Sequence, residues 1–214
     1  MTQTLDAMNW RYATKAFDTE KKLSDEQFNN LLEVTRLSAS SYGLQPWKII
    51  VVKNPETRTE IKNNSWGQTQ VTDASHLVVF AIPTDLNDAF VDKFIGTVST
   101  TRGVDVANLD GYSQMIKGAI KSKTEQGGVQ AVKDWAARQA YVALGTLLTA
   151  CAVEKIDSCP MEGFDSKKVD ELLGLAELGL ESVVMCPVGY RSEADTSAND
   201  KKVRFSKEEI VIEK

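Results

Sequence analysis

Histidine and cysteine are nearly missing from this chain, which has one imidazole, His76, and three thiols, Cys151, Cys159 and Cys186, in 214 residues. An odd, sparse set of thiols gives no disulfide framework, and no Cys/His cluster has zinc-ligand spacing, so neither bridges nor a metal are expected. A reducing compartment fits that composition. His76 stands at the entrance to an apolar run, and one imidazole leaves conventional histidine-based acid/base or nucleophilic chemistry almost nothing to work with. Positive charge is also short. Twenty-five basic against 30 acidic residues give a net charge of −5, the wrong sign for a protein that tracks a phosphate backbone, so nucleic acid is not an expected partner. Long apolar runs are absent too: residues 140–153 are the most apolar stretch, and Gly145, Thr146 and Thr149 interrupt it, well below the roughly 20 residues needed to span a bilayer. The first residues lack the apolar core of a signal peptide, so the expectation is a cytoplasmic protein without a membrane partner. Finally, there is no Gly-x-Gly-x-x-Gly between a strand and a helix, no Walker loop and no Gly-x-Ser-x-Gly elbow. If the chain is an enzyme, a bound cofactor has to carry the reaction.

What is present suffices for one substantial core. With 42% hydrophobic residues, a chain of this length buries roughly 70% of the surface it would expose unfolded, and no linker divides it. Ser24-Asp-Glu-Gln27 reads as a capping box, followed by Phe28, Leu31, Leu32 and Thr35 at helical spacing, which predicts a helix over 25–37. Pro46 precedes a β-branched run that predicts a strand over 47–52. Asn54-Pro55 opens a short helix to about residue 63. Residues 77–82 and 182–188 read as buried strands, and Asp165 caps a helix that stops at Gly174. Residues 133–153, apolar nearly all round after Arg138, read as a helix buried inside the fold. Between about 85 and 128 the apolar residues thin out and glycines punctuate a charged stretch, a peripheral excursion on a single domain over 1–214. The polar segment 192–200 is expected on a surface, and Ile210-Val211-Ile212 as a last strand. Helices and strands mix without regular βαβ spacing, which argues for α+β with a mainly antiparallel sheet surrounded by helices.

Four motifs stand in order along the chain: Arg11-Tyr-Ala-Thr-Lys15-Ala-Phe17-Asp18, Ser38-Ala-Ser40-Ser41-Tyr-Gly-Leu-Gln45-Pro46-Trp47, Cys159-Pro160-Met161-Glu162-Gly163-Phe164-Asp165 and Lys201-Lys202-Val203-Arg204-Phe205. With Asp73-Ala-Ser-His-Leu-Val-Val-Phe80 and Pro187-Val-Gly-Tyr-Arg191, they resemble the nitroreductase family of flavoproteins nearly end to end. Within it, the chain is most similar to the oxygen-insensitive NAD(P)H nitroreductases related to dihydropteridine reductase.

The resemblance implies an intertwined homodimer that holds FMN in clefts at its interface, with NADH or NADPH as electron donor and small-molecule oxidants as acceptors. Arg11, Lys202 and Arg204 match the family's phosphate-binding cations, a task that suits guanidinium forks and an ammonium point charge. Lys15 matches the cation beside the flavin pyrimidine, where it would favour the reduced, more negative ring. Pro160, Glu162 and Gly163 match the loop facing flavin N5 and O4, with Lys15, Glu162 and Gly163 as the residues closest to the chemistry. Ser40 and Ser41 match residues that reach the flavin from the other subunit, with Ala39 in place of a common proline. Tyr12 and Ala13 replace the family's frequent His-Ser or Tyr-Ser pair, and Ala13 removes one hydroxyl. Gly67 and Gln70 replace an Asn and a Lys at the pyrimidine side, so Gln68 or Gln70 would offer neutral hydrogen bonds there. Gln45 either meets the flavin or caps backbone.

These matches imply a ping-pong NAD(P)H oxidoreductase that passes hydride through flavin N5 to nitroaromatic or quinone-type acceptors. A dihydropteridine or free-flavin reductase, and a flavin-binding protein without turnover, are the alternatives the sequence leaves open. The apolar helix after Trp135 needs cover on more than one side, which a two-fold partner would supply.

Overall fold

The structure is a computed structural model and describes residues 2–214. Local capping sets many of its helix starts. Thr2 accepts from the Leu5 amide and opens α1, Gln3–Trp10. Ser24 and Gln27 close the anticipated capping box at α2, Asp25–Arg36, and Asn54 caps α3, Pro55–Asn63, with proline at its first position. Between them β1 runs over Lys48–Val52. A single turn, α4, Gln70–Asp73, leads into β2, His76–Pro83. Asn87 caps α5, Asp88–Arg102, and then α6 extends over Asp110–Val153. The two-residue β3, Asp157–Ser158, α7, Ser166–Leu173, β4, Leu180–Gly189, and one last turn, α8, Lys207–Ile210, complete the chain.

The four strands lie in the order β1-β2-β4-β3, and every pair is antiparallel. This is the expected α+β architecture. β2 is central and covered on both faces, which is why it reads as a continuous apolar run rather than an alternating one. Val78, Phe80 and Ile82 join Val184, Cys186 and Val188 of β4 on the face covered by α2 and α6. Leu77, Val79 and Met185 point to the other face, where Ile61 of α3 and Val169 of α7 close the core. Each such side chain, fully buried, contributes about 1.5–3 kcal/mol. All three cysteines are free and buried along this sheet and its helix.

Four expectations need correction. The long helix starts at Asp110, not near Lys133, and bends at Gly127–Gly128. Gly128 takes φ +70° and ψ −168°, a conformation closed to other residues, so the glycines that read as punctuation are a kink inside one helix. Second, the half after Trp135 is not buried all round. Ala136, Ala140, Ala143, Leu147 and Cys151 face the sheet, while Tyr141 and Val142 face outward. One window of this helix is long and apolar enough to cross a membrane by composition alone, but its buried side is the packing of a core helix. Third, the segment 192–200 is not simply a surface run, because Asp195 is only 4% exposed. Fourth, residues 210–212 form no strand. Ser206 and Glu209 make a second capping box, so Ile210 ends a helical turn, and Ile212 lies exposed.

The glycine-punctuated stretch 85–128 is mostly helical. Val91 and Ile95 of α5 pack on Ile116 and Ile120 of α6, together with Leu44, Val132 and Trp135.

Candidate functional site

Helix α1 runs out at Arg11, and the extended residues after it carry Tyr12, Ala13 and Lys15 past the end of β3. Ala13 bridges to Ser158, and Phe17 to Arg191. Two buried carboxylates hold this strap from distant parts of the chain. Asp157 accepts from the Thr14 hydroxyl at 3.3 Å, from the Arg191 amide at 2.8 Å and from Arg191 Nε at 2.8 Å. The Arg191 guanidinium then lies over the rings of Trp10 and Tyr12, 4.2 and 4.5 Å from their centroids, which adds cation–π attraction to the ion pair. Asp195 accepts from the Lys15 amide at 2.7 Å, the Ala16 amide at 3.1 Å and the Tyr12 hydroxyl at 3.0 Å, all on one oxygen. Its other oxygen accepts from Ser197 N at 3.0 Å. Burial opposes the charge on Asp195, but the amides of Ala16 and Lys15, then the Tyr12 hydroxyl and the Ser197 amide, outweigh it and hold the carboxyl below its ordinary value. Burial and the bond to Asp195 push the Tyr12 phenol up to about 12, so it stays a donor.

Three cations meet at this corner. Lys202 reaches back to the end of α1, where its ammonium donates to the carbonyls of Met8, at 2.8 Å, and Arg11, a favourable place for positive charge at a helix C-terminus. Burial, then the nearby charges of Arg11 and Arg204, lower the Lys202 pKa. Arg204 spends one donor on the Val203 carbonyl at 2.6 Å, and its side chain is otherwise exposed. Arg11 Nε is buried without a hydrogen-bond partner. Mutually repelling cations beside an unsatisfied buried donor are what a phosphate group would relieve, so the residues fit such a ligand.

Lys15 emerges exposed from the clamped strap. Burial raises the Cys159 thiol pKa, and Lys15 and Arg11 are both close enough to oppose the rise. Gln70 is buried beside the same sulfur. The following loop carries Pro160, Glu162 and Gly163. Gly163 approaches its neighbour so closely that a Cβ there would lie 2.3 Å from the Trp66 ring. Gln68 donates from Nε2 to the carbonyls of Ser65 and Gly163, at 3.1 and 3.0 Å, tying the two loops together. Gly67 sits between Trp66 and Gln68, with open space where a side chain would be. Trp66, 76% exposed, covers this edge. Tyr141 of α6 donates to Glu162 at 2.5 Å, and burial with that bond pushes the Tyr141 phenol up to about 12. Together with Leu144, Leu148 and Pro160, these two residues line a depression of about 520 Å³.

Ser40 and Ser41 bond to a different set of residues. Ser40 Oγ accepts from Gln45 N, and the Ser41 amide donates to Gln139, both at 2.9 Å. Gln45 caps backbone: its Nε2 donates to the Arg36 carbonyl at 2.6 Å. Of the four non-glycine residues with positive φ among the described residues, Tyr42, Gln45 and Trp66 lie in the two loops holding expected site residues and Lys155 lies elsewhere, each such position costing of order 1–3 kcal/mol.

The single imidazole is structural in its contacts. His76 stacks on Phe28 at 3.7 Å and shares a 3.0 Å hydrogen bond with Ser75. Sequence reasoning missed Asp157, Asp195, Trp66 and Tyr141. Only Asp195 carried a local signal, since Asp followed two residues later by Ser197 is an Asx-turn pattern.

Comparison with known proteins agrees with this architecture. The family described as "Nitroreductase family" matches residues 8–190. A Staphylococcus saprophyticus protein that bears the provisional name NAD(P)H nitroreductase is 38% identical, over 99% of this chain and 97% of its own length. A nitroreductase-like protein of Streptococcus mutans superposes with a TM-score of 0.83 at 22% identity, covering 98% of both chains. A provisionally named nitroreductase of Exiguobacterium sibiricum, solved in complex with FMN, superposes at 0.80 with 19% identity, over 100% of this chain and 98% of the other.

Proposed function

The chain belongs to the nitroreductase family, a family of oxidoreductases, and we propose that it is an FMN-dependent NAD(P)H oxidoreductase working as a cytoplasmic homodimer. In this reading it passes hydride through flavin N5 to nitroaromatic or quinone-type acceptors in a ping-pong exchange, and residues 1–214 form one FMN-binding domain. The observation that carries the reading is that Arg11 and Arg204 lie close enough to Lys202 to lower its pKa, while Arg11 Nε is buried without a partner. FMN, when bound, supplies two-electron redox chemistry that no side chain here offers.

The chain's own residues have separate tasks. Arg11, Lys202 and Arg204 bind the phosphate and lose their mutual repulsion on doing so. Lys15 places an ammonium where negative charge accumulates on reduction, and it is the principal cation there because Gly67 and Gln70 carry none. Pro160, Glu162 and Gly163 present a loop edge held by Gln68 and Tyr141, and the missing Cβ of Gly163 lets a flat ring or Trp66 come close. Tyr12 and Ala13 position the strap. Ser40 and Ser41, bonded elsewhere within their own subunit, are offered to the partner's site.

Homodimer formation is supported by the uncovered face of α6. Val34, Val142, Gly145, Thr146 and Thr149 line a groove of about 630 Å³ between α2 and α6. Beyond residue 200 the tail exposes Val203, Phe205 and Ile212 by 76–85%, an apolar surface that calls for cover.

The test is reconstitution. Protein freed of flavin and offered FMN should bind it one to one per chain, and anaerobic NADH or NADPH should bleach the yellow colour. Failure to take up FMN offered in excess refutes the reading. Uptake without bleaching by either donor leaves a flavin binder and refutes the enzymatic half.

A further inference from the structure

The segment that leads into the tail bearing Lys202 and Arg204 supplies Asp195, a carboxylate that spends both oxygens on protein donors. It receives four donors, and two of them are the successive backbone amides of Lys15 and Ala16. The chain closes on itself at this point. Ser192 N donates to the Ala16 carbonyl at 2.9 Å, which ties this segment to the strap beside the carboxylate, and Asp195 N donates to the Ser192 carbonyl at 3.0 Å, which closes the turn that carries it. With its amide fixed at 2.7 Å, Lys15 can direct its exposed side chain from one backbone position only.

We propose that Asp195 is a positioning residue that sets the direction of the Lys15 side chain, and so the electrostatics of the bound cofactor, by clamping the Lys15 and Ala16 amides to the cation-bearing tail. This rests on the reading of the site as an FMN site. A charge-assisted acceptor holding two successive amides pre-organises the residue between them, which neither a neutral turn nor a solvated loop would do.

The signs of two effects separate this from simpler roles. As a mere nearby negative charge, Asp195 would disfavour the reduced flavin, so Asp195→Asn would raise the midpoint potential. As a positioning residue it keeps the Lys15 cation in place, so the same variant lowers the potential. The experiment measures flavin potential, FMN dissociation constant and amide hydrogen exchange in wild type, Asp195→Asn, Lys15→Gln and the double variant. The expected result is a negative shift in Asp195→Asn and roughly tenfold faster exchange at Lys15 and Ala16. No further shift should follow when Lys15 is already Gln.

A positive shift, an unchanged potential with a lowered Tm, or full additivity with Lys15→Gln overturns the inference. Should Asp195→Asn fail to fold, Tyr12→Phe removes one of its donors and should show a smaller negative shift with the same dependence on Lys15; an unchanged potential there overturns it equally. Wild type that takes up no FMN is a different outcome, since it refutes the reading of the site while the exchange measurement still decides whether Asp195 orders the strap.

Discussion

The strap over residues 11–17 and the tail over 201–214 contribute cations to one cluster, yet they are built in opposite ways. The strap is gripped by two buried carboxylates and by Arg191 stacked over Trp10 and Tyr12. The tail is tethered mainly through Lys202, whose ammonium rests on α1 carbonyls, and its apolar side chains face outward. In the proposed phosphate site one half is therefore held by the fold itself, and the other half is left for a ligand or a second copy to fix. Binding energy spent on ordering the tail is lost to affinity, whereas the strap costs nothing further.

Changes on the two sides should separate affinity from stability. The largest effect belongs to the tail. Lys202→Ala with Arg204→Ala removes two charge-assisted contacts of about 1.5–3 kcal/mol each, so FMN affinity should fall by two to four orders of magnitude in a fluorescence titration while the apoprotein Tm barely moves. The next largest belongs to the strap. Asp157→Ala leaves the Arg191 charge without its partner, and urea denaturation should show a loss of about 3–5 kcal/mol. Equal losses of stability from the two variants would break the contrast.

Tyr12→Phe sharpens it further. It deletes one of the four donors to Asp195, for about 1 kcal/mol of stability. The smallest effect is a pH dependence. The folded pKa of Asp195 lies below its unfolded value, so the stability it adds is complete above the usual carboxylate range. That stability fades as pH falls through the unfolded value and is gone below the folded one. In Asp195→Asn this part of the acid limb should flatten, as read from denaturation midpoints between pH 5 and the acid transition.

The same division explains what could be read from the sequence. Ser24 to Gln27, Asn54-Pro55 and Asp165 act on neighbours within three residues, so their helices were legible. The runs at 77–82 and 182–188 were legible because a strand covered on both faces needs apolar side chains throughout. Gly127 and Gly128 misled because a break in a helix and the end of one use the same residue type. Ile210 to Ile212 misled because β-branched residues make a strand only where another edge accepts them, and Ser206 with Glu209 turns the chain first.

The site divides in the same manner. Its candidate residues came from motif order, whereas the groups that hold them did not, since the bonds of Asp195 to Lys15 and of Asp157 to Thr14 span 180 and 143 residues. A polar segment without periodicity gives no hint of such a partner.

The burial of all three thiols has one more consequence. Cys151, Cys159 and Cys186 are all raised in pKa by desolvation, Cys151 to about 12, so at neutral pH they carry almost no nucleophilic thiolate. An alkylating reagent has nothing to attack while the sheet is intact, and each modified sulfur then records one excursion of that region out of its native packing.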